Sequence, residues 1–153
     1  MTIRLTSAIL ALLAAANLAY AADTTPSKPS DPYLERFEDA KAHQDWTAAA
    51  GVMKEALSAK PQNADYHSLY AYSLRKGGTK DMDQVFLHYN EALRLDPKHR
   101  GAHEYLGEAY LQVGNVAKAK DELAALDKLC FFSCSEYSEL KTAISQYEQR
   151  AAK

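Results

Sequence analysis

The sequence predicts an all-α chain, an α-solenoid of about three helical hairpins closed by a C-terminal capping helix. Three observations carry this reading. Ala, Leu, Glu, Lys and Tyr are prominent while Gly and Pro number only six and five in 153 residues, a balance that favours helix. Small residues recur between large apolar ones at helical spacing. This is clearest in residues 101–126, where Gly107, Ala109 and Ala119 sit where two helices would touch and Leu106, Tyr110, Val113, Leu123 and Leu126 lie one turn away. Pro61 and Pro97 each stop a helix at the same point of the pattern, since Pro cannot continue one and restricts the residue before it. Apolar periodicity alone would also fit a generic bundle; the recurring small residues and the two Pro stops favour a repeat.

Length and a formal charge of −2 suit one domain. Eighteen basic residues are interspersed with twenty acidic ones, and no basic stripe emerges. That argues against nucleic acid, whose phosphates need a basic face.

The chain opens on Arg4 and an apolar run from about Ile9 to Ala16, then Ala19-Tyr20-Ala21, an A-x-A cleavage site. The run is short for a bilayer span of about 20 residues and is flanked by Thr6, Ser7 and Asn17, so a secretory signal over residues 1–21 is expected rather than an anchor. With no Cys after the site, a lipid anchor is not expected. Export to a bacterial periplasm or beyond the cell follows, with no stable membrane insertion after cleavage. Residues 22–32 are rich in Pro, Ser and Thr, bury almost nothing, and read as a flexible lead.

Asp31-Pro32 supplies a cap and a Pro at the first helical position. A helix follows to about His43 with Leu34, Phe37 and Ala40 on one face. Gln44-Asp45 turns the chain, and Asp45 caps a second helix to about Ala59. Trp46, Ala49, Met53, Ala56 and Leu57 form its apolar face. Residues 63–97 repeat the theme with His67, Tyr70, Ala71 and Leu74, then Val85, Tyr89 and Ala92, joined by the longer turn Lys76–Asp81. Residues 98–129 hold the third hairpin, in which Gly114-Asn115 is a helix stop followed by an N-cap.

The order of small and large residues resembles the tetratricopeptide repeat, W-x2-L-G-x2-Y, then A-x3-F, then P, at about 34 residues per unit. Leu106, Gly107, Tyr110 and Ala119 match it, and Leu123 stands in for the Phe. His103 replaces the Trp, as His67 does one unit earlier, and the last Pro is missing. Ala49-x3-Met53, Ala56 and Pro61 fit the second half of a degenerate first unit. Repeat packing is therefore assigned to Ala49, Ala71, Gly107, Tyr110 and Ala119, over units 33–62, 63–97 and 98–129.

Residues 130–153 form a cysteine turn and a capping helix to about Gln149, with Tyr137, Leu140, Ile144 and Tyr147 inward and Glu136, Glu139, Lys141, Glu148 and Arg150 outward. Ser133 and Glu136 have capping-box spacing. Cys130 and Cys134 are close enough to pair in an oxidising compartment, where a disulfide would fix the angle of the cap helix. Free buried thiols, or redox or metal work, stay open. C-x3-C is neither the C-x-x-C of redox sites nor the C-x-x-C-H of covalent haem.

No catalytic motif is present, so no enzyme, cofactor or metal site is expected. His99 and His103 share a four-residue spacing without the Glu of H-E-x-x-H; His103 is read as packing and His99 as solvent-facing. His43, His67 and His88 read as isolated. Glu104 and Glu108 read as a surface pair, with nothing raising a pKa. Most of the ten tyrosines fall on packing stripes.

The resemblance implies a concave groove lined by the first helix of each repeat, holding a segment of a partner protein. Carried over, its faces are Leu34, Glu38 and Lys41; Ser68, Tyr72, Arg75 and Lys76; Glu104, Glu108, Leu111 and Gln112. That groove is aromatic and basic in the middle and acidic toward the end, with Tyr72 and Leu111 as apolar anchors. The Lys and Asn pattern with which chaperone-binding members grip a terminal carboxylate is absent. The expected function is a non-catalytic adaptor for another protein or peptide. Homo-oligomerisation through the exposed edge, and a periplasmic redox or metal-handling role for Cys130 and Cys134, are the alternatives.

Overall fold

Alternating N-cap residues and chain stops cut the polypeptide into helices. The computed structural model describes residues 31–132 and 134–152. The expected signal peptide, residues 22–30 of the lead and Ser133 lie outside the described residues. Those residues form seven helices: α1 (Pro32–Ala42), α2 (Trp46–Ala59), α3 (Ala64–Lys76), α4 (Met82–Leu95), α5 (Arg100–Gln112), α6 (Val116–Leu129) and α7 (Ser135–Ala151). Each of α1 to α6 begins on a side chain that accepts a backbone N–H of its first turn: Asp31, Asp45, Asn63, Asp81, His99 and Asn115. Only α7 lacks such a cap; its N-cap is Cys134, and the capping box expected from Ser133 and Glu136 falls on a residue outside those described.

Consecutive helices pack as antiparallel hairpins, and three buried clusters follow one another along the stack. Phe37, Ala49, Met53 and Tyr66 fill the first, Ala71, Val85, Tyr89 and Leu106 the second, and Ala119, Leu126, Leu140 and Ile144 the third. α1 packs mainly on α2, with Tyr33 meeting Tyr66 of α3, whereas α7 rests on α5 and α6, where a further first helix would lie. The all-α solenoid with a capping helix is therefore the architecture observed. Ala49, Ala71 and Ala119 are fully buried on its seams. Val113 is not on a seam: it is the half-exposed C-cap of α5, ahead of Gly114 at φ +77°. A left-handed backbone there suits Gly.

The starts of α1, α3, α5 and α7 gather at one end. The Tyr66 hydroxyl donates to Asp31, His99 lies 3.1 Å from Asp65, and Arg100 lies 3.5 Å from Glu136. His99 is thus not solvent-facing: its Nδ1 accepts from the Ala102 N–H and its ring is mostly covered.

His67 and His103 fill the slot of the missing Trp in the same way. Nε2 of His67 donates to the Pro61 carbonyl at 2.9 Å, and Nε2 of His103 to the Pro97 carbonyl at 3.1 Å. Nδ1 of each meets the second helix of its hairpin, at His88 (2.8 Å) and Glu122 (2.7 Å). His67 and His88 are therefore a pair, not isolated residues. A carbonyl only accepts, so neutral His67 carries its proton on Nε2 and takes the His88 proton at Nδ1. Burial opposes charge on His103, but Glu122 and the Pro97 carbonyl outweigh it and raise its pKa. His88 moves the other way, lowered by burial first and then by the neighbouring His67.

Cys130 and Cys134 are joined, their Cα atoms 5.7 Å apart, between α6 and α7. The bond closes a small loop, whose chain entropy is worth about 2 kcal/mol at most. Reduction is expected to lower the unfolding free energy by that amount and no more, leaving the helical circular dichroism intact; loss of helix on reduction would make the bond essential to the fold.

Candidate partner-binding groove

The inner helices α1, α3, α5 and α7 present one continuous face. Its centre is Tyr72, held edge-on against Trp46 (centroids 5.6 Å apart) and tilted against Tyr105 (4.7 Å). Lys76 Nζ lies over both Trp46 and Tyr72, at 5.7 and 6.0 Å from their ring centres. Lys41 of α1 lies near enough for its charge to act on the Tyr72 hydroxyl.

Beyond Tyr72 an open cleft of about 640 Å³ runs between α3, α5 and α7. Arg75, Lys76, Glu108, Leu111 and Gln112 line one side; Ala143, Gln146, Tyr147 and Arg150 of α7 line the other. The expected site residues divide here. Tyr72, Lys76 and Glu108 come together along the face, while Leu111 is a core residue (8 % exposed) with only its edge on the cleft. Ser68 (1 % exposed), Arg75 (7 %) and Glu104 (4 %) are buried beneath it. Arg75 Nη2 meets Glu108 Oε2 at 2.5 Å and its Nε donates to the Tyr89 hydroxyl at 3.4 Å, which ties α3 to α4 and α5. It is an interior ion pair and not a free surface cation.

The reading of Glu104 and Glu108 as a surface pair is corrected. Burial first, then the Glu139 and Glu108 charges, push the Glu104 carboxyl up to about 8. A carboxyl held at that value is largely protonated at neutral pH. With Glu104 buried and Glu108 paired with Arg75, the acid left exposed at this end is Glu139 of α7. Lys76 and Arg150 make no ion pair among the described residues, so the unmatched charge of the cleft is positive.

The α7 wall was missed in the sequence because Arg150 was placed on the outer face of a helix read purely as a cap. The spacing of Ala143, Gln146, Tyr147 and Arg150, at i, i+3, i+4 and i+7, is the signal that marks them as one stripe. Gly107 allows α7 this position: a Cβ there would lie 2.6 and 2.7 Å from the Leu140 methyls. Among the described residues, no three or more His, Cys, Asp or Glu side chains are arranged to hold a metal ion.

A family model described as tetratricopeptide repeat matches residues 78–144. Over those residues the sequence matches the tetratricopeptide repeat, and the stack of helical hairpins as a whole is similar in fold to solved TPR domains. Solved structures of the same fold include the TPR2B domain of yeast Sti1 in its pHsp70 complex, 20 % identical over 77 % of this chain and 94 % of that one, with a TM-score of 0.67. The first TPR of Spaghetti (RPAP3), bound to the HSP90 peptide SRMEEVD, is 16 % identical over 79 % and 91 %, with a TM-score of 0.66. The Yersinia enterocolitica type III secretion translocator chaperone SycD is 18 % identical over 80 % and 93 %, with a TM-score of 0.63. No curated protein matches the sequence. At these identities the likeness carries the fold. In this fold α1, α3, α5 and α7 are alternate helices of the stack.

Proposed function

We propose that this protein is a non-catalytic adaptor that holds an extended or helical segment of a partner protein along α1, α3, α5 and α7. Tyr72 and Leu111 give the segment apolar anchors. Lys76 and Arg150, on opposite walls of the cleft, meet acidic groups of the partner. The observation that carries the reading is the unmatched positive charge of that cleft, whose one lining acid among the described residues, Glu108, is already paired with Arg75. The neighbours bound to peptides support an interaction module; which segment this chain takes follows from its own charges. We further propose that the protein acts after export, with residues 1–21 removed. N-terminal sequencing of the protein recovered from fractionated cells checks this, and an intact residue 1 on the recovered chain would overturn it.

The binding test uses Lys76→Glu and Arg150→Glu, singly and together, because both side chains are exposed and neither supports the core. Quantitative capture from an extract of the source cells is expected to lose the partner by about tenfold or more in the double variant, since each charge-assisted contact is worth roughly 1.5–3 kcal/mol. A partner held equally by both forms would place binding on another surface. Glu108→Lys is unsuitable here, because it would set a cation against the buried Arg75.

A further inference from the structure

We infer that Glu104 of α5 and Glu139 of α7 share a proton that latches α7 onto α5, so that one wall of the partner cleft is held at acidic pH and loosens as the pH rises. The functional consequence rests on the reading of the cleft as the partner site; the latch itself does not. Glu104 is buried on α5, one turn before Gly107, where Leu140 of α7 makes its closest approach. Glu139 is the residue before Leu140 and lies within hydrogen-bonding reach of Glu104.

Among the described residues, no cation is paired with Glu104. Arg75 of α3 is committed to Glu108, Arg100 of α5 lies beside Glu136, and His103 of α5 is held by Glu122 of α6. The remaining groups around it are acidic or phenolic. They are Glu136 and Glu139 from α7, Glu108 and Tyr105 from α5 itself, and Tyr72 from α3. α4 contributes Tyr89, whose hydroxyl is taken by Arg75. A buried carboxylate in this company is disfavoured by desolvation and by like charge, and protonation removes both penalties. As a neutral acid, Glu104 donates to the Glu139 carboxylate, one hydrogen bond across the seam. Once ionised, the same two groups repel across it.

The direction follows from the folded-state value of about 8 standing above the ordinary 4.5. The stability that the proton contributes is complete below pH 4.5 and falls as the pH climbs through the interval. It is gone once the pH passes the folded-state value. Beyond the latch, α7 carries Ala143, Gln146, Tyr147 and Arg150 into the cleft, and the Tyr147 hydroxyl lies against the turn at Gly114. The position of α7 therefore sets the width of the cleft.

The test needs no partner, so it fails or succeeds apart from the binding proposal. With glutamate carboxyl carbons and tyrosine rings labelled with carbon-13, NMR is followed from pH 4 to 9. One glutamate carboxyl is expected to titrate above pH 7, and the Tyr147 ring signals are expected to move with the same midpoint. In Glu104→Gln that carboxyl titration should vanish and the Tyr147 signals should stay fixed. In Glu139→Gln, which keeps the buried acid and removes its partner charge, the midpoint should move down by a unit or more, on the order of the effect of one close like charge. A Glu104 midpoint between 4 and 5, or a Tyr147 shift that persists unchanged in Glu104→Gln, would overturn the latch.

Discussion

Glu108→Ala is expected to cost about 3–5 kcal/mol, the usual loss when one partner of a buried ion pair is removed. The reason is asymmetric. Arg75 keeps only 5 % of its side chain exposed, whereas Glu108 keeps 30 %. Removing the acid strands a desolvated guanidinium that keeps the Tyr89 hydroxyl, at 3.4 Å, and the Tyr72 ring face, 5.7 Å from its Cζ, but no counter-charge. Removing the base leaves a carboxylate that water can still reach, so Arg75→Met should cost less than Glu108→Ala. The double variant Arg75→Met, Glu108→Leu should recover most of the loss, because apolar replacement of both partners is often neutral or stabilising. Urea denaturation of these proteins, with Glu108→Leu alone added as the matching single variant, gives the cycle. A loss under about 1 kcal/mol for Glu108→Ala would mean that the pair behaves as a surface salt bridge and that Arg75 is not sealed between α3, α4 and α5.

Gly107→Val is the second large effect, expected at about 3 kcal/mol, the upper part of the range for overpacking a core. The added Cβ alone would sit 2.6 and 2.7 Å from the Leu140 methyls and 3.2 Å from its Cγ, and Leu140 is fully buried. Something must shift, and α7 is the element held only from one side. Leu140→Ala in the same chain should make the valine tolerable, so the two losses should not add. Gly51 supplies the contrast. It lies in the middle of α2 with nothing within 4 Å of a Cβ. Gly51→Ala should therefore stabilise by about 1 kcal/mol through helix propensity. If Gly107→Val and Gly51→Ala changed the unfolding midpoint alike, close approach of α7 would not be what glycine serves at residue 107.

The local features of this chain were legible from its residues because their causes are local. Asp31-Pro32, Asp45 and Asn115 mark helix starts by chemistry that acts within four residues, and each caps the helix expected of it. The small residues at Ala49, Ala71 and Ala119 announced seams for a similar reason, since only a short side chain suits a helix contact. The partners across the seams were not legible. Arg75 and Glu108 are 33 residues apart, and His103 and Glu122 are 19 apart; neither pairing leaves a periodic trace. The acid at residue 104 read as surface because its burial comes from α7. The depth at which α7 docks depends in turn on the missing side chain at residue 107. Assigning groove faces by analogy with a repeat found Tyr72 and Leu111 but took the end of the groove to be acidic. It could not register that one acid is protonated, that the next is neutralised, and that Arg150 enters from the cap.

The disulfide loop carries Phe131 and Phe132 at 95 % and 91 % exposed, while the main clusters lie elsewhere in three successive pockets of the stack. Each cluster is shared only between neighbouring hairpins, so cooperativity along the chain is a nearest-neighbour property. Trp46, the single tryptophan, belongs to the first cluster, and α7 to the last. Intrinsic tryptophan emission is therefore a thermometer for the N-terminal hairpins alone. The cap could melt and refold while that signal stayed flat, and an unfolding curve drawn from it would describe half a molecule.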